Sequence, residues 1–198
     1  MQAQDICGVV VRVSDETIQE AVRAVLTWIQ KKFPVDFERI RLRIKYVTLV
    51  AKDEPGDMAW WEVNEERPAI DQAKDRCEWG YRVFAHDYWR FVGRGYIGIV
   101  VDDECDDTDY QALVAHELGH CATTLEDFEE SGALGEEWAI ESSANKYAFK
   151  WGFGKQYRRL LKRHERMVRH TGTLPGEILD INGTVYRMRD DFTMEKLT

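Results

Sequence analysis

No stretch of about 18 consecutive apolar residues occurs in the chain, so a membrane-spanning helix is not expected. A basic start leading into an apolar run is also missing. The N-terminal MQAQDICGVVVRVSDE has its apolar stretch broken by Arg12, and it does not read as a signal peptide. The four cysteines, Cys7, Cys77, Cys105 and Cys121, form no CxxC pair. Scattered in this way they read as reduced thiols rather than a disulfide framework, and a cytoplasmic location is the default expectation. Positive charge is in deficit: a net charge of −9 argues against general affinity for nucleic acid. There are no internal repeats and no low-complexity segment.

What the chain does have is ordinary globular material. Its 198 residues suffice for one compact domain and are short for two. Hydrophobic residues make up 44% and charged residues 32%, as in soluble proteins generally. Ile6 to Val13 is short and β-branched, and reads as a strand. Ser14-Asp15-Glu16 starts a helix whose apolar stripe runs Ile18, Val22, Val25, Ile29, and Phe33-Pro34 ends it. Arg39 to Tyr46 alternates charged and apolar residues and predicts a strand with one wet face. Glu54 to Glu78 is acidic, carries Pro55 and Pro68 and is flanked or interleaved by Trp60, Trp61 and Trp79. It reads as an irregular insertion, either a cleft rim or surface packing under a long loop. Tyr81 to Ala85 is a weak strand, and Gly95 to Val101 a stronger one that ends in the acidic turn Asp102-Asp103-Glu104.

Thr108-Asp109-Tyr110-Gln111 reads as a capping box that starts a helix just after Thr108. Glu136 to Trp151 reads as a second helix, stopped by Gly152 and Gly154. A basic helix follows, to about His170. Its segment Lys155 to His170 holds seven Lys/Arg against one Glu, a local charge of +6. That is either a solvated face balancing an acidic body or a docking surface for an acidic partner. Near the end, Leu179 to Tyr186 has the Asn182-Gly183 turn of a tight hairpin.

The chemistry concentrates in Ala112 to Leu125, ALVAHELGHCATTL. His116 and His120 are four residues apart, which on a helix leaves them about 40° apart around the axis, so both imidazoles can reach one ion. Glu117 lies about 100° further round from His116 and can reach a water on the metal rather than the metal itself. This is the logic of HExxH: two neutral nitrogen ligands, an open coordination position, and a carboxylate to take the proton of water. Leu113, Leu118, Ala122 and Leu125 are apolar neighbours that can seat the helix in a core. Cys121 should point away from the metal at its helical phase.

A catalytic zinc needs a third protein ligand. Glu137, Glu141 and Asn145 follow one another at i+4 on the second helix, and Ala139, Ala144 and Ala148 suggest that this helix is closely packed. Glu141 is the expected ligand and Glu137 the alternative, with Asn145 placed to hydrogen-bond a ligating histidine. The long HExxHxxGxxH motif of the metzincins would put its third ligand at Glu126, but Thr123 replaces the glycine of its turn.

His116-Glu117-Leu118-Gly119-His120 followed by Glu141-Ser142-Ser143-Ala144-Asn145-Lys146-Tyr147-Ala148 resembles the HExxH … ExxANxxA pattern of the ImmA/IrrE-type metallopeptidases, which are gluzincin-like. The match runs from about Tyr96 to Lys150. It implies an α+β fold with a zincin-like core: a small mixed sheet, the HExxH helix, and a second helix bearing the glutamate ligand. It further implies that Gly95 to Val101 lines the cleft and holds a peptide by strand addition. No helix-turn-helix is present, so direct binding of nucleic acid is not expected, and no membrane contact is either.

The expected organisation is one domain, 1–198. It comprises an N-terminal α/β part of about 1–94, a catalytic core of about 95–154, and the basic helix with the C-terminal hairpin of about 155–192. The expected function is zinc-dependent hydrolysis of peptide bonds in a protein or peptide substrate. His116, His120 and Glu141 hold Zn²⁺, and Glu117 is the general base. His86, Tyr96, Tyr157 and His164 are candidates by residue type for stabilising the oxyanion. The alternative is a regulatory, non-catalytic metal-binding protein on the same scaffold, acting through protein contacts.

Overall fold

The run from Ile6 to Val13 does not make one strand. In the computed structural model, which describes residues 3–50, 59–63, 95–100, 104–124, 136–163, 173–181 and 183–197, it is cut into a hairpin. Strands β1 (Gln4–Ile6) and β2 (Val9–Arg12) pair antiparallel. Between them Cys7 and Gly8 have φ of 57° and 82°, the positive pair that a two-residue hairpin turn requires. Asp5 accepts the Gly8 N–H at 2.8 Å and closes the turn.

Helix α1 (Glu16–Lys32) forms as its stripe predicts. Asp15 caps it by accepting the Ile18 N–H at 2.9 Å, and Ile18, Val22, Val25 and Ile29 are all fully buried. The next segment overturns an expectation. Instead of a strand from Arg39, helix α2 (Pro34–Arg43) runs first, and strand β3 (Ile44–Val50) begins only at Ile44. Pro34 opens the helix, where its missing N–H costs nothing. Asp36, Phe37, Ile40 and Arg43 then form the buried stripe, while Leu42 stands out in solvent. The alternating pattern of charge and apolarity is real, but the buried set follows the helical period rather than the pleat.

The main sheet has the order β1-β2-β3-β5-β4, with β4 at Ala59–Val63 and β5 at Gly95–Val100. Strands β2, β3 and β5 are parallel; β1 and β4 flank them antiparallel. Two expectations change here. The Glu54 to Glu78 stretch, read as irregular, contains strand β4; its other residues, like the weak strand at Tyr81 to Ala85, lie outside the described residues. Strand β5 is not an edge, because β3 pairs on one side of it and β4 on the other. A peptide cannot add to it, and among the described residues the outer position belongs to β4.

Helix α3 (Asp107–Ala122) carries the HExxH motif. Its cap is Asp106, whose carboxylate accepts the N–H groups of Thr108 and Asp109 at 3.0 and 2.9 Å, while Asp109 accepts the Asp106 N–H at 3.2 Å. The capping box is therefore Asp106 with Asp109, two residues before the expected Thr108 with Gln111: an aspartate in the extended conformation outcompetes a threonine already inside the turn. Helices α4 (Glu136–Lys150) and α5 (Gly154–Arg163) follow, separated at Gly152, whose φ of 94° ends α4. A second sheet, β6 (Ile178–Ile181), β7 (Thr184–Met188) and β8 (Met194–Lys196), forms an antiparallel meander. Its first turn is the predicted hairpin, with Ile181 opposite Thr184.

The result is a mixed α+β fold with α3 at its centre, packed against α1, α2, α4, α5 and strand β4. Every residue from Ala112 to Ala122 is buried. One cluster of buried side chains joins Val9, Val11, Val47, Ile97 and Ile99 of the sheet to α1, α3, Trp151 and Leu160. Both ends of α3 meet opposite charge, as the helix dipole favours. Asp106 and Asp109 stand at its start, and the buried Arg43 donates to the Cys121 and Thr123 carbonyls at 2.8 and 2.6 Å at its end.

Candidate metal centre

Because α3 is buried all round, its polar side chains are held where the backbone puts them. His116 and His120 point to one side, 4.9 Å apart between ring centroids and nearly perpendicular. Helix α4 lies alongside, and Gly119 lets it come close: a Cβ at that position would lie 2.5 Å from the Ala144 carbonyl oxygen. This approach delivers Glu141. One of its oxygens is 3.1 Å from His116 Nε2 and the other 3.6 Å from His120 Nε2. The donor atoms of His116, His120 and Glu141 all lie within 4.8 Å of one another, so the three could hold a metal ion. Glu117 is buried beside them, its carboxylate 4.0 Å from His120 Nε2, and does not belong to the donor group.

Asn145, one turn beyond Glu141, is fully buried, and its amide favours the charged form of His116. The Asn145 Oδ1 and His116 Nδ1 atoms are both buried without a partner at bonding geometry. Asn145 also reaches the Thr173 carbonyl at 3.5 Å, and Ser142 accepts the Thr173 N–H at 3.1 Å. The chain after α5 is thus pinned to the glutamate helix.

Electrostatics separate the two histidines. Burial pushes His116 down, but the hydrogen bond and charge of Glu141, then the charge of Glu117, outweigh it and hold the imidazole above its ordinary value. His120 is pushed down to about 4, by burial first and by the charge of His116, against the pull of Glu141. It is a neutral nitrogen donor near neutral pH, the form that a metal requires. Cys121 lies buried in the core, as its helical phase predicts, and burial pushes its thiol up, away from reactivity.

Of the residues weighed for the oxyanion, Tyr157 stands at the site. It is buried on α5 and stacks on His116 with ring centroids 4.8 Å apart and planes 8° from parallel. Burial, then the charges of Glu141 and Glu117, raise its phenol well above the ordinary value, so it keeps its proton. His86 and His164 lie outside the described residues, as do Glu126 and Leu125. Tyr96 is on β5 and Glu137 on α4, with side chains outside what is described.

Sequence reasoning missed two features. The first is the close approach at Gly119, which the small residue inside HELGH and the alanines of α4 could have signalled. The second is the set of ion pairs made by the basic segment. Arg159 pairs with Asp106 and Asp109, both at 2.9 Å, and also donates to the Thr108 hydroxyl. Arg163 pairs with the same two carboxylates at 3.1 and 2.6 Å and with the Glu104 carbonyl at 2.7 Å. These two cations are exposed and face an acidic partner inside the chain, at the start of the HExxH helix, so this part of the basic segment is a solvated face that balances the acidic body. No signal in the sequence connects positions fifty residues apart.

No helix among the described residues is long and apolar enough to cross a membrane. Comparison of the chain with protein-family models, with curated proteins and with solved structures finds no match.

Proposed function

We propose that the chain is a zinc-dependent metallopeptidase with a zincin-like core, of the ImmA/IrrE type that its HExxH … ExxAN pattern resembles. The observation that carries this reading is the Glu141 carboxylate spanning both imidazoles, with Glu117 buried beside them but outside the donor set. The donors suit zinc. Tetrahedral bonds of about 2.0–2.1 Å put neighbouring ligand atoms roughly 3.3 Å apart, and the Glu141 oxygens stand 3.1 and 3.6 Å from the two nitrogens. Three protein ligands also leave a fourth position for water or substrate, the mark of a catalytic rather than a structural site.

When bound, zinc supplies Lewis-acid polarisation of a scissile carbonyl and brings the pKa of water to about 7. The chain's own residues do the rest. Glu117 takes the proton of the attacking water on its carboxylate and returns it to the leaving amine. Asn145 and Glu141 orient His116, and the neutral His120 completes the donor set. An extended substrate would pair with the outer side of β4, the antiparallel strand that packs on α3 and is outermost among the described residues, since β5 has a partner on either side. The substrate class is a protein or peptide, and the thiols of Cys7 and Cys121 fit a cytoplasmic location.

The test is elemental analysis of wild type and Glu141→Ala purified side by side. About one zinc per wild-type chain, lost or much weakened in the variant, is the expected result. A folded wild type that takes up no zinc on addition would sink the reading.

A further inference from the structure

Helix α5 belongs to the metal centre as well as to the core. It is held at two points. Near its start, Tyr157 lies flat on the His116 ring, with planes 8° from parallel. Further along, Arg159 and Arg163 grip Asp106 and Asp109. Asp109 precedes His116 by about two helical turns, so α5 runs back along α3 and is fastened at both ends of that stretch. A tyrosine placed this way, buried to 1% exposure, has little freedom to leave the imidazole.

The imidazole needs such a partner. The torsion that turns a histidine ring about its Cβ–Cγ bond is broad and weakly restrained by its own geometry. If that torsion drifts, Nε2 leaves the line to Glu141 even though the backbone has not moved. Along its edges His116 has Glu141 at Nε2, at 3.1 Å, and the Asn145 amide near enough to favour its charged form. Those contacts limit the ring in its own plane. A parallel ring against its face limits rotation out of that plane.

We propose that Tyr157 is a positioning residue for the metal site: its flat ring, delivered and locked by α5, fixes the plane of His116 so that Nε2 faces the Glu141 carboxylate. This rests on the metal-site reading above. It assigns the phenol a task for its face rather than for its hydroxyl, so phenylalanine should replace it and an aliphatic side chain should not.

The experiment compares wild type, Tyr157→Phe and Tyr157→Leu. Zinc affinity is measured by competition with a chromophoric chelator, and the visible bands of the Co²⁺-substituted protein report ligand geometry. Urea unfolding of the metal-free chains monitors fold. Tyr157→Phe is expected to bind zinc within about twofold of wild type with unchanged Co²⁺ bands. Tyr157→Leu is expected to lose ~10-fold or more, the scale on which supporting contacts act on metal ligands, with altered bands. If Tyr157→Leu does not fold, Tyr157→Met, flexible and without a flat face, repeats the test. Wild-type affinity and bands in the aliphatic variant overturn the proposal, as does a loss in Tyr157→Phe equal to that in Tyr157→Leu. A wild type that binds no zinc overturns the metal-site reading and this proposal together, and the wild-type titration alone reveals it.

Discussion

Gly119 and Ala144 meet so closely that a Cβ on Gly119 would stand 2.5 Å from the Ala144 carbonyl oxygen and 2.9 Å from its Cα. The obstruction is backbone, which cannot swing aside as a side chain would. Gly119→Ala should therefore push α4 away from α3, costing about 1–3 kcal/mol of stability as overpacking does, and should weaken zinc binding by carrying Glu141 with it. Adding Ala144→Gly should not rescue it, because the carbonyl remains. Urea unfolding and chelator competition check both, and a double variant restored to wild type would contradict this picture.

Glu117 lies beside the donor group without joining it. Glu117→Gln should keep zinc at wild-type stoichiometry and reduce peptide hydrolysis by about 10²–10⁴-fold, the range for loss of a general base. New amino termini released from an unfolded protein substrate, alongside elemental analysis, measure the two separately. Full activity in Glu117→Gln would remove the residue from the mechanism.

Asp109 is fully buried, and it receives two arginines that are themselves 45% and 41% exposed. Removing the carboxylate leaves cations that water can reach, so the cost falls short of that for stranding a buried charge. Asp109→Ala should destabilise by about 1–3 kcal/mol. Arg159→Ala or Arg163→Ala alone should cost less, because the other guanidinium still covers Asp109. Equilibrium urea curves would show the order, and an arginine variant costing more than Asp109→Ala would reverse it.

Asp106 titrates near pH 2, below the ordinary 3.8. Burial acts to raise it; the Thr108 hydroxyl, the Asp109 N–H, Arg159 and Arg163 together pull it down. A carboxyl depressed in the folded state stabilises fully above its unfolded value and loses that contribution as pH falls toward the folded value. The metal-free chain should thus lose stability between pH 3.8 and about 2 more steeply than Asp106→Asn does. Urea midpoints of the two proteins in chelator across that window give the comparison, and parallel slopes would count against it.

Where several local signals agree, the residues alone specify the element. Helix α1 is legible because an apolar stripe, a capping aspartate and a closing Phe-Pro all point the same way. His116, His120 and Glu141 are legible because helical spacing converts sequence into geometry, and the fold brings the three together. Helix α2 is not, since alternation over a few residues cannot tell a pleat from a helix when Asp36 and Arg43 are on the buried side. The split of the first strand turns on two residues, Cys7 and Gly8, and cysteine is no turn former. Strand β4 hides in an acidic stretch because its pairing partner, β5, comes more than thirty residues later. The same distance in sequence conceals the part played by Tyr157: which aromatic meets His116 depends on how α5 folds back, and spacing carries no record of that.

The joint around Trp151 has a consequence for the order in which a growing chain matures. Trp28 donates its indole N–H to the Trp151 carbonyl at 2.8 Å, and Trp151 in turn donates its own to the buried Asp36 at 3.0 Å. These partners are separated by 123 and 115 residues. During synthesis, Trp28 and Asp36 emerge from the ribosome long before the residue that closes on them, and Lys150, which neutralises Asp36 at 2.8 Å, arrives with it. The far end of the Glu141 helix is therefore anchored only after both histidines have already been translated. A nascent chain carries the HExxH helix before it carries Glu141 and the joint that anchors the far end of its helix, so the three donors come together only once that later segment has been made.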